Sequence, residues 1–266
     1  FYVRSKSIPY SSAFFDEIKI ISHCEYKCHD KIFYKGVKDL NKKIYIYGCQ
    51  FFISYPVWLN IKIPSEEKIF NLTPDIVLTN GEIDVAKHGI VAKKGLSLRY
   101  DYLFQNKKNN PCNNEENILI LLSFMKNISE NIIKICLDSE IIKRKKVVIR
   151  SHPVIDINTL AHKLPINWEI DSNPDINETF SKSSLIITSG TGSALEAVVS
   201  RKSVIIVADK TTFTTNPLSY KLGKGVVWDE VSDVEELEVA YNKLMQIRKY
   251  DYELVPKVTT YVGGNS

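Results

Sequence analysis

The chain has 266 residues, 44% of them hydrophobic and 25% charged, the composition of a globular protein long enough for one large domain or two modest ones. No stretch of eighteen apolar residues occurs, so no helix is expected to span a membrane. The formal net charge of +4 is mild, and the aromatics are not interleaved with basic residues as in nucleic-acid-binding modules, which excludes nucleic acid as an expected partner.

The chain opens at Phe1 without a basic-then-apolar leader, which predicts that an N-terminal piece is missing. Residues 1–105 read as one α/β domain. Within it "HCEYKCH", residues 23–29, gathers two Cys and two His, but no second ligand pair completes a zinc site, so the cluster is read as local structure. The five cysteines (Cys24, Cys28, Cys49, Cys112, Cys136) are odd in number and irregular in spacing, as expected of free thiols in a reducing cytoplasm rather than of a disulfide framework. A strand is predicted at 44–47, followed by an aromatic-rich segment with Phe51, Phe52, Tyr55 and Trp58. Another strand is predicted at 76–78, closed by the turn signal Asn80-Gly81, and "SLRYDYLF", 97–104, is a further extended candidate. The Asn-rich, Pro-interrupted stretch at 106–116 then reads as a linker.

From residue 117 to 266 the pattern becomes regular. A buried strand is predicted within 117–124 and a long helix over 128–146, with apolar residues at helical spacing and Ser129 as its cap. The "KRKK" run at 143–146 is either a solvated helix end, where cations suit the macrodipole, or a weak lure for an acidic membrane surface or anionic glycan. Further strands follow at 146–153, 167–170, 184–190 and 203–209, with helices at 157–165, 176–183 and 192–202 between them and a closing amphipathic helix at 231–250. Strands alternating with helices at this spacing specify βαβ units and a parallel sheet. Continuous apolar runs such as ILILL and VIIV fit strands buried on both faces.

Between two of these strands, Thr188 to Ser193 is an unbroken run of Ser, Thr and Gly. Gly190 and Gly192 permit close backbone approach, and hydroxyls at a helix N-terminus make a ready phosphate cradle. The spacing is neither a P-loop nor a dinucleotide fingerprint. A capped helix start with small residues for packing would use the same residues. Glu196, one turn into the helix, is placed to accept from a sugar diol. Arg150, Ser151, His152 and Pro153 are expected at the end of an adjacent strand, with Arg150 and His152 suited to phosphate.

"SGTGSALEAVVSRKSVIIV" and the His-Pro pair together resemble the nucleotide-binding half of GT-B glycosyltransferases, over residues 117–245. The SGTxxxxE helix start is similar to that of lipid A disaccharide synthase. The His-Pro pair resembles that of bacterial sialyltransferases, Kdo transferases of capsule synthesis and CDP-glycerol glycerophosphotransferases. The resemblance implies two Rossmann-like domains facing a cleft, the first short or truncated and on the acceptor side. It implies a nucleotide-sugar donor, of the CMP-sialic acid or CMP-Kdo type, as co-substrate, with no other cofactor. His152, Ser189, Thr191 and Ser193 would then serve nucleotide and phosphate, and Glu196 the ribose.

An inverting transferase also needs a base for the acceptor hydroxyl. "NGEID" offers Glu82 first and Asp84 second, faintly similar to the acidic motif of those sialyltransferases, although a plain polar turn would read the same. No Asp-x-Asp motif occurs, so a metal-independent reaction is expected. Lys210, Thr211, Thr212 and Thr214 are expected near the same crevice. The resulting expectation is an inverting transferase acting on a bacterial surface glycan or lipid-linked glycan, in the cytoplasm or at the inner membrane face by peripheral contact. The alternatives are a UDP-sugar-dependent GT-B transferase, a nucleotide-sugar 2-epimerase, or a non-catalytic nucleotide-sugar or glycan-binding module.

Overall fold

The computed structural model describes residues 16–39, 43–51, 55, 61–95, 100, 117–154, 164–210, 215–219 and 223–248. The first sheet has four parallel strands, β1 (Ile18–His23), β2 (Ile44–Cys49), β3 (Ile76–Thr79) and β4 (Ala92–Lys94), side by side in chain order. Helix α1 (Cys28–Lys38) connects β1 to β2, and the short α2 (Glu82–Val85) connects β3 to β4. Parallel neighbours require such crossovers.

β1 and α1 were not visible as sequence patterns. β1 is half-buried, with burial alternating along its length, and α1 buries only Asp30, Tyr34, Gly36 and Val37. The Cys/His cluster is the joint between them. Tyr26 takes a left-handed φ of 55°, and the Asp30 carboxylate accepts from the Glu25 and Lys27 N–H groups at 3.1 and 3.0 Å, closing the start of α1. Burial pushes the Cys24 thiol up to about 12, so it behaves as an apolar side chain packed with Tyr34 and Ile46. Asp75 pins the next joint: it accepts from the Ile46 N–H and from Lys38, both at 2.8 Å. The predicted strand at 97–104 falls outside the described residues except for buried Tyr100, as do Phe52 and Trp58 of the aromatic segment.

The second sheet has six parallel strands: β5 (Ile118–Leu121), β6 (Val147–Arg150), β7 (Trp168–Ile170), β8 (Leu185–Thr188), β9 (Ser203–Val207) and β10 (Trp228–Val231). Their spatial order is β10-β9-β8-β5-β6-β7. The two sheets belong to separate compact units, and the expected linker at 106–116 lies outside the described residues. In the second unit Ile118, Ile120, Ile149, Ile187 and Ile205 share one core with Ile132 and Ile133 of α3 (Lys126–Asp138) and with Leu237 and Leu244 of α7 (Val234–Arg248). The alternate residues Leu119, Ile186, Val204 and Ile206 are equally buried. Both faces of the sheet are therefore covered, which is why these strands are apolar throughout rather than alternating.

The expected long helix over 128–146 is broken at Ser139, leaving α3 and the short α4 (Glu140–Lys143). Ser139 adopts an extended φ,ψ of −81°, 118°, and its Oγ accepts from the Ile142 N–H at 3.2 Å, so it ends one helix and caps the next. The predicted cap, Ser129, is instead inside α3, fully buried, donating to the Ser123 carbonyl at 2.9 Å. Among the described residues the unit has two more helices besides α7, α5 (Ile176–Ser181) and α6 (Gly192–Val199). The KRKK run is a helix end: Lys143 and Arg144 pair with Glu140, and Lys146 with Glu169. The closing helix starts at Val234 rather than 231, because Val231 belongs to β10, a strand the sequence pattern did not reveal. The predicted helix at 157–165 lies outside the described residues except for Leu164 and Pro165.

Ser139 also donates to Glu238 of α7 at 2.8 Å, so it joins two helices as well as capping one. Ser139→Ala is expected to lower the free energy of urea unfolding by about 1–2 kcal/mol, from the lost cap and the acceptor left behind.

Candidate functional site

Numbered from β5, the second sheet runs 3-2-1-4-5-6. Winding reverses between β5 and β8, and in such sheets the crevice outside the carboxyl ends of the two diverging strands is the ligand position. Thr188 marks this point structurally, donating its hydroxyl across to the Leu121 carbonyl at 3.2 Å. After β5 the chain enters α3 through Leu122–Met125; after β8 it enters α6 through Ser189–Thr191.

The helices that start along this edge differ in how their first N–H groups are satisfied. α5, beside the outer strand β7, is capped by Asp175, which accepts from the Asn177 N–H at 2.8 Å. α7, after β10, is capped by Asp233, which accepts from the Glu236 N–H at 3.0 Å. The two helices at the switch point carry no side-chain cap: α3 follows Met125, and α6 follows Thr191. Donors left without a side-chain cap, reinforced by the helix dipole, suit an anion.

Thr191, just before α6, and Gly192 and Ser193 in its first turn are half-buried, Ser189 is buried, and Glu196 is half-buried one turn further on. The sequence reading of these residues as one cluster corresponds to one continuous turn and helix start. Gly190 has a packing reason of its own. A Cβ there would lie 2.8 Å from the Asn216 backbone nitrogen and 2.9 Å from the Thr215 hydroxyl, so glycine is needed for the 215–216 segment to pass.

His152 stands on the other side of β5. The sequence reading placed its strand next to the one bearing the Ser/Thr/Gly run, but β5 lies between β6 and β8, so the two strand ends are about 10 Å apart. The reason is the reversal itself, which puts the second strand of the unit, β6, and the fourth, β8, on opposite sides of the first. His152 Nδ1 accepts from the Val154 N–H at 3.3 Å, which places the proton of the neutral ring on Nε2 as a donor. Its ring meets Phe124 edge-on at 6.0 Å, and Phe124 is 59% exposed. The only sequence signal for Phe124 is an aromatic at the end of the apolar run 117–124; its exposure is visible only in the structure.

Arg150 is held differently from the expected phosphate ligand. Its guanidinium donates to Asp171 at 2.8 Å, to the Asn173 carbonyl at 2.7 Å and to the Pro174 carbonyl at 3.2 Å, tying the end of β6 to the segment after β7. Burial pushes the Asp171 carboxyl up, but the Asn173 N–H, the Thr179 hydroxyl and Arg150 outweigh it and hold the group below its ordinary value. The residue with a fixed side-chain anion as partner is thus a structural knot beside the site.

A cavity of about 380 Å³ opens at the ends of β8, β9 and β10. Ser189 and Gly190 line it on one side, Asn216 and Glu230 on another, over an apolar floor that includes Ile206 and Val231. Lys210, expected in the sequence near this crevice, lines it; Thr211, Thr212 and Thr214 lie outside the described residues. Glu230 and Asn216 were missed because β10 and the turn at 215–219 have no periodic signature; the only cue was the acidic pair in "WDEV".

The acidic candidates Glu82 and Asp84 fall on α2 in the first unit. The Asp84 carboxylate is engaged by Lys87 three residues on. Nearby His88 accepts from the Ile63 N–H through Nδ1 at 3.3 Å, and burial, against the pull of Asp84, pushes its pKa down. It is a neutral ring with its lone pair occupied, and so a poor base.

No sequence-family description matches the chain, and no curated protein does. Solved structures do match by fold. The UDP-GlcNAc 2-epimerase of Methanocaldococcus jannaschii, in complex with UDP-GlcNAc and UDP, is 16% identical over 98% of this chain and 77% of its own, with a TM-score of 0.55. A glycosyltransferase from Rickettsia africae is 11% identical over 98% and 78%, with a TM-score of 0.58. MurG of Acinetobacter baumannii is 13% identical over 98% and 72%, with a TM-score of 0.55. At these identities the likeness establishes the fold, two Rossmann-like α/β units of the GT-B kind, as the resemblance in the sequence implied.

Three outcomes are expected. Arg150→Ala should cost about 2 kcal/mol at neutral pH by stripping Asp171 of its cation. Because Asp171 titrates lower when folded, its contribution is present above about 3.8 and fades as pH falls through the folded value, so Asp171→Asn should flatten the acid limb of a stability-pH curve. Gly190→Ala should lower the melting temperature through overpacking of about 1–3 kcal/mol.

Proposed function

We propose that the chain is a metal-independent glycosyltransferase of the GT-B kind that binds the nucleotide of a sugar donor at the β5/β8 switch point. The observation that carries this reading is the pair of helices without side-chain caps, α3 and α6, at the place where the winding reverses. The donor phosphate rests on the Ser189–Ser193 turn, taking N–H donors from Gly192 and Ser193 and hydroxyls from Thr191 and Ser193. Glu196 accepts from the ribose diol. His152 donates from Nε2 toward phosphate across the end of β5, and Phe124 offers an exposed ring to the base.

During transfer the bond from sugar to phosphate breaks, and charge grows on the departing phosphate. Preorganised donors at the α6 start stabilise that charge without reorganising. The proton of the acceptor hydroxyl goes to a carboxylate on α2, Glu82 in the first place and Asp84 in the second. Arg150 takes no part in this transfer, since its donors already serve Asp171 and two carbonyls.

The His-Pro resemblance favours a cytidine donor, while the neighbour holding UDP-GlcNAc and UDP makes a uridine donor an equally fitting reading. The acceptor is a surface glycan or its lipid-linked precursor. Contact with a lipid-linked acceptor would be peripheral in this reading; among the described residues no helix is long and apolar enough to cross a membrane.

The test is calorimetric titration with CMP, CDP, UDP and GDP, first without metal and then with magnesium. One nucleotide should bind without metal, and Thr191→Ala and Ser193→Ala should each weaken it by about ten-fold. Glu82→Gln should retain nucleotide binding and lose transfer. Failure of every nucleotide to bind contradicts the reading of the turn as a phosphate cradle.

A further inference from the structure

The cavity beside the switch point is lined by more carboxylates than ammonium groups. It shares Ser189 and Gly190 with the phosphate turn, so it adjoins any group attached to a phosphate on that turn. Asp209, Glu230 and Glu236 supply carboxylates to its lining, against the single ammonium of Lys210. That ammonium is itself paired, 3.5 Å from the Asp233 carboxylate. Among the described residues, neither Glu230 nor Glu236 meets a cationic group at ion-pair distance.

The two glutamates are held by neutral donors. Glu236 accepts from the Ser232 N–H at 2.7 Å and its hydroxyl at 2.8 Å, at the start of α7. Glu230 accepts from the side-chain amide of Asn216, which is 1% exposed and fixed in turn by accepting from the Leu218 N–H at 2.8 Å. A carboxylate has room for several donors, and one amide leaves Glu230 with acceptor capacity facing the cavity. Its fixed orientation makes it a preorganised acceptor for hydroxyl or ammonium groups and a repulsive neighbour for another carboxylate.

Resting on the nucleotide reading above, we infer that the sugar entering this cavity is uncharged or amino-bearing, with Glu230 accepting from its hydroxyl or amino group. Acidic sugars of the sialic acid, Kdo or uronic acid class are excluded from it. The inference concerns the transferred group and is independent of which base the nucleotide carries.

The experiment compares affinities in pairs that differ by the sugar alone: UDP with UDP-glucose and UDP-glucuronic acid, and CMP with CMP-sialic acid. For the nucleotide that binds, the uncharged sugar should bind at least as tightly as the bare nucleotide. The acidic sugar should bind on the order of ten-fold more weakly. Glu230→Gln, which keeps a partner for Asn216, should narrow that gap by several-fold, with a melting temperature within about 3 °C of the parent showing that the fold is intact. Equal affinity for acidic and uncharged sugars, or a gap that Glu230→Gln leaves unchanged, overturns the inference while the nucleotide site stands. Absence of binding by the bare nucleotides overturns the nucleotide reading and the inference with it.

Discussion

The reversal of winding between β5 and β8 is the constraint from which the second unit takes its chemistry. A parallel sheet buried on both faces must send its connections over alternate sides, and where the direction changes two helices diverge and leave their N-termini beside one gap. Thr188, buried and bonded to the Leu121 carbonyl, fixes the two strand ends that border that gap. The apolar strands contribute most of the stability, through a core shared with α3 and α7. The polar groups at their ends can then be arranged for binding rather than for holding the fold together.

How the N–H groups along this edge are satisfied shows the division of labour. Away from the gap, Asp175 and Asp233 close the helices that begin there, and the Arg150–Asp171 knot ties β6 to the segment after β7. At the gap, α3 and α6 start without such closure. Helix starts in a stable domain usually receive a capping side chain. Two that do not, on either side of a topological switch point, mark the region where an external anion would complete the structure.

Much of the second unit could be read in the sequence because its strands are buried on both faces and its helices follow at regular spacing. ILIL, VVIR, LIIT and SVIIV each announce themselves by continuous apolar character. The features that escaped are those without periodicity. β10 buries Trp228 and Val231 around two acidic residues, and Ser139 breaks a helix whose apolar spacing runs through it. The first unit was less legible, since β1 is half-buried and α1 relies on a turn built around Tyr26 and Asp30 rather than on a wide apolar face. At the site, the Ser/Thr/Gly run and His152 were visible as chemistry. Their separation by β5, the commitment of Arg150 to Asp171, and the approach of Asn216 to Gly190 depend on strand order and loop packing, which no local pattern encodes.

Hydrogen exchange followed residue by residue, with and without UDP or CMP, asks whether a nucleotide sits at the switch point. Binding at the switch point predicts slowed exchange at the amides of 190–194 and 123–127, the two open helix starts, with α5 and α7 unchanged. Protection appearing instead at the starts of α5 or α7, or confined to the first unit, would contradict it.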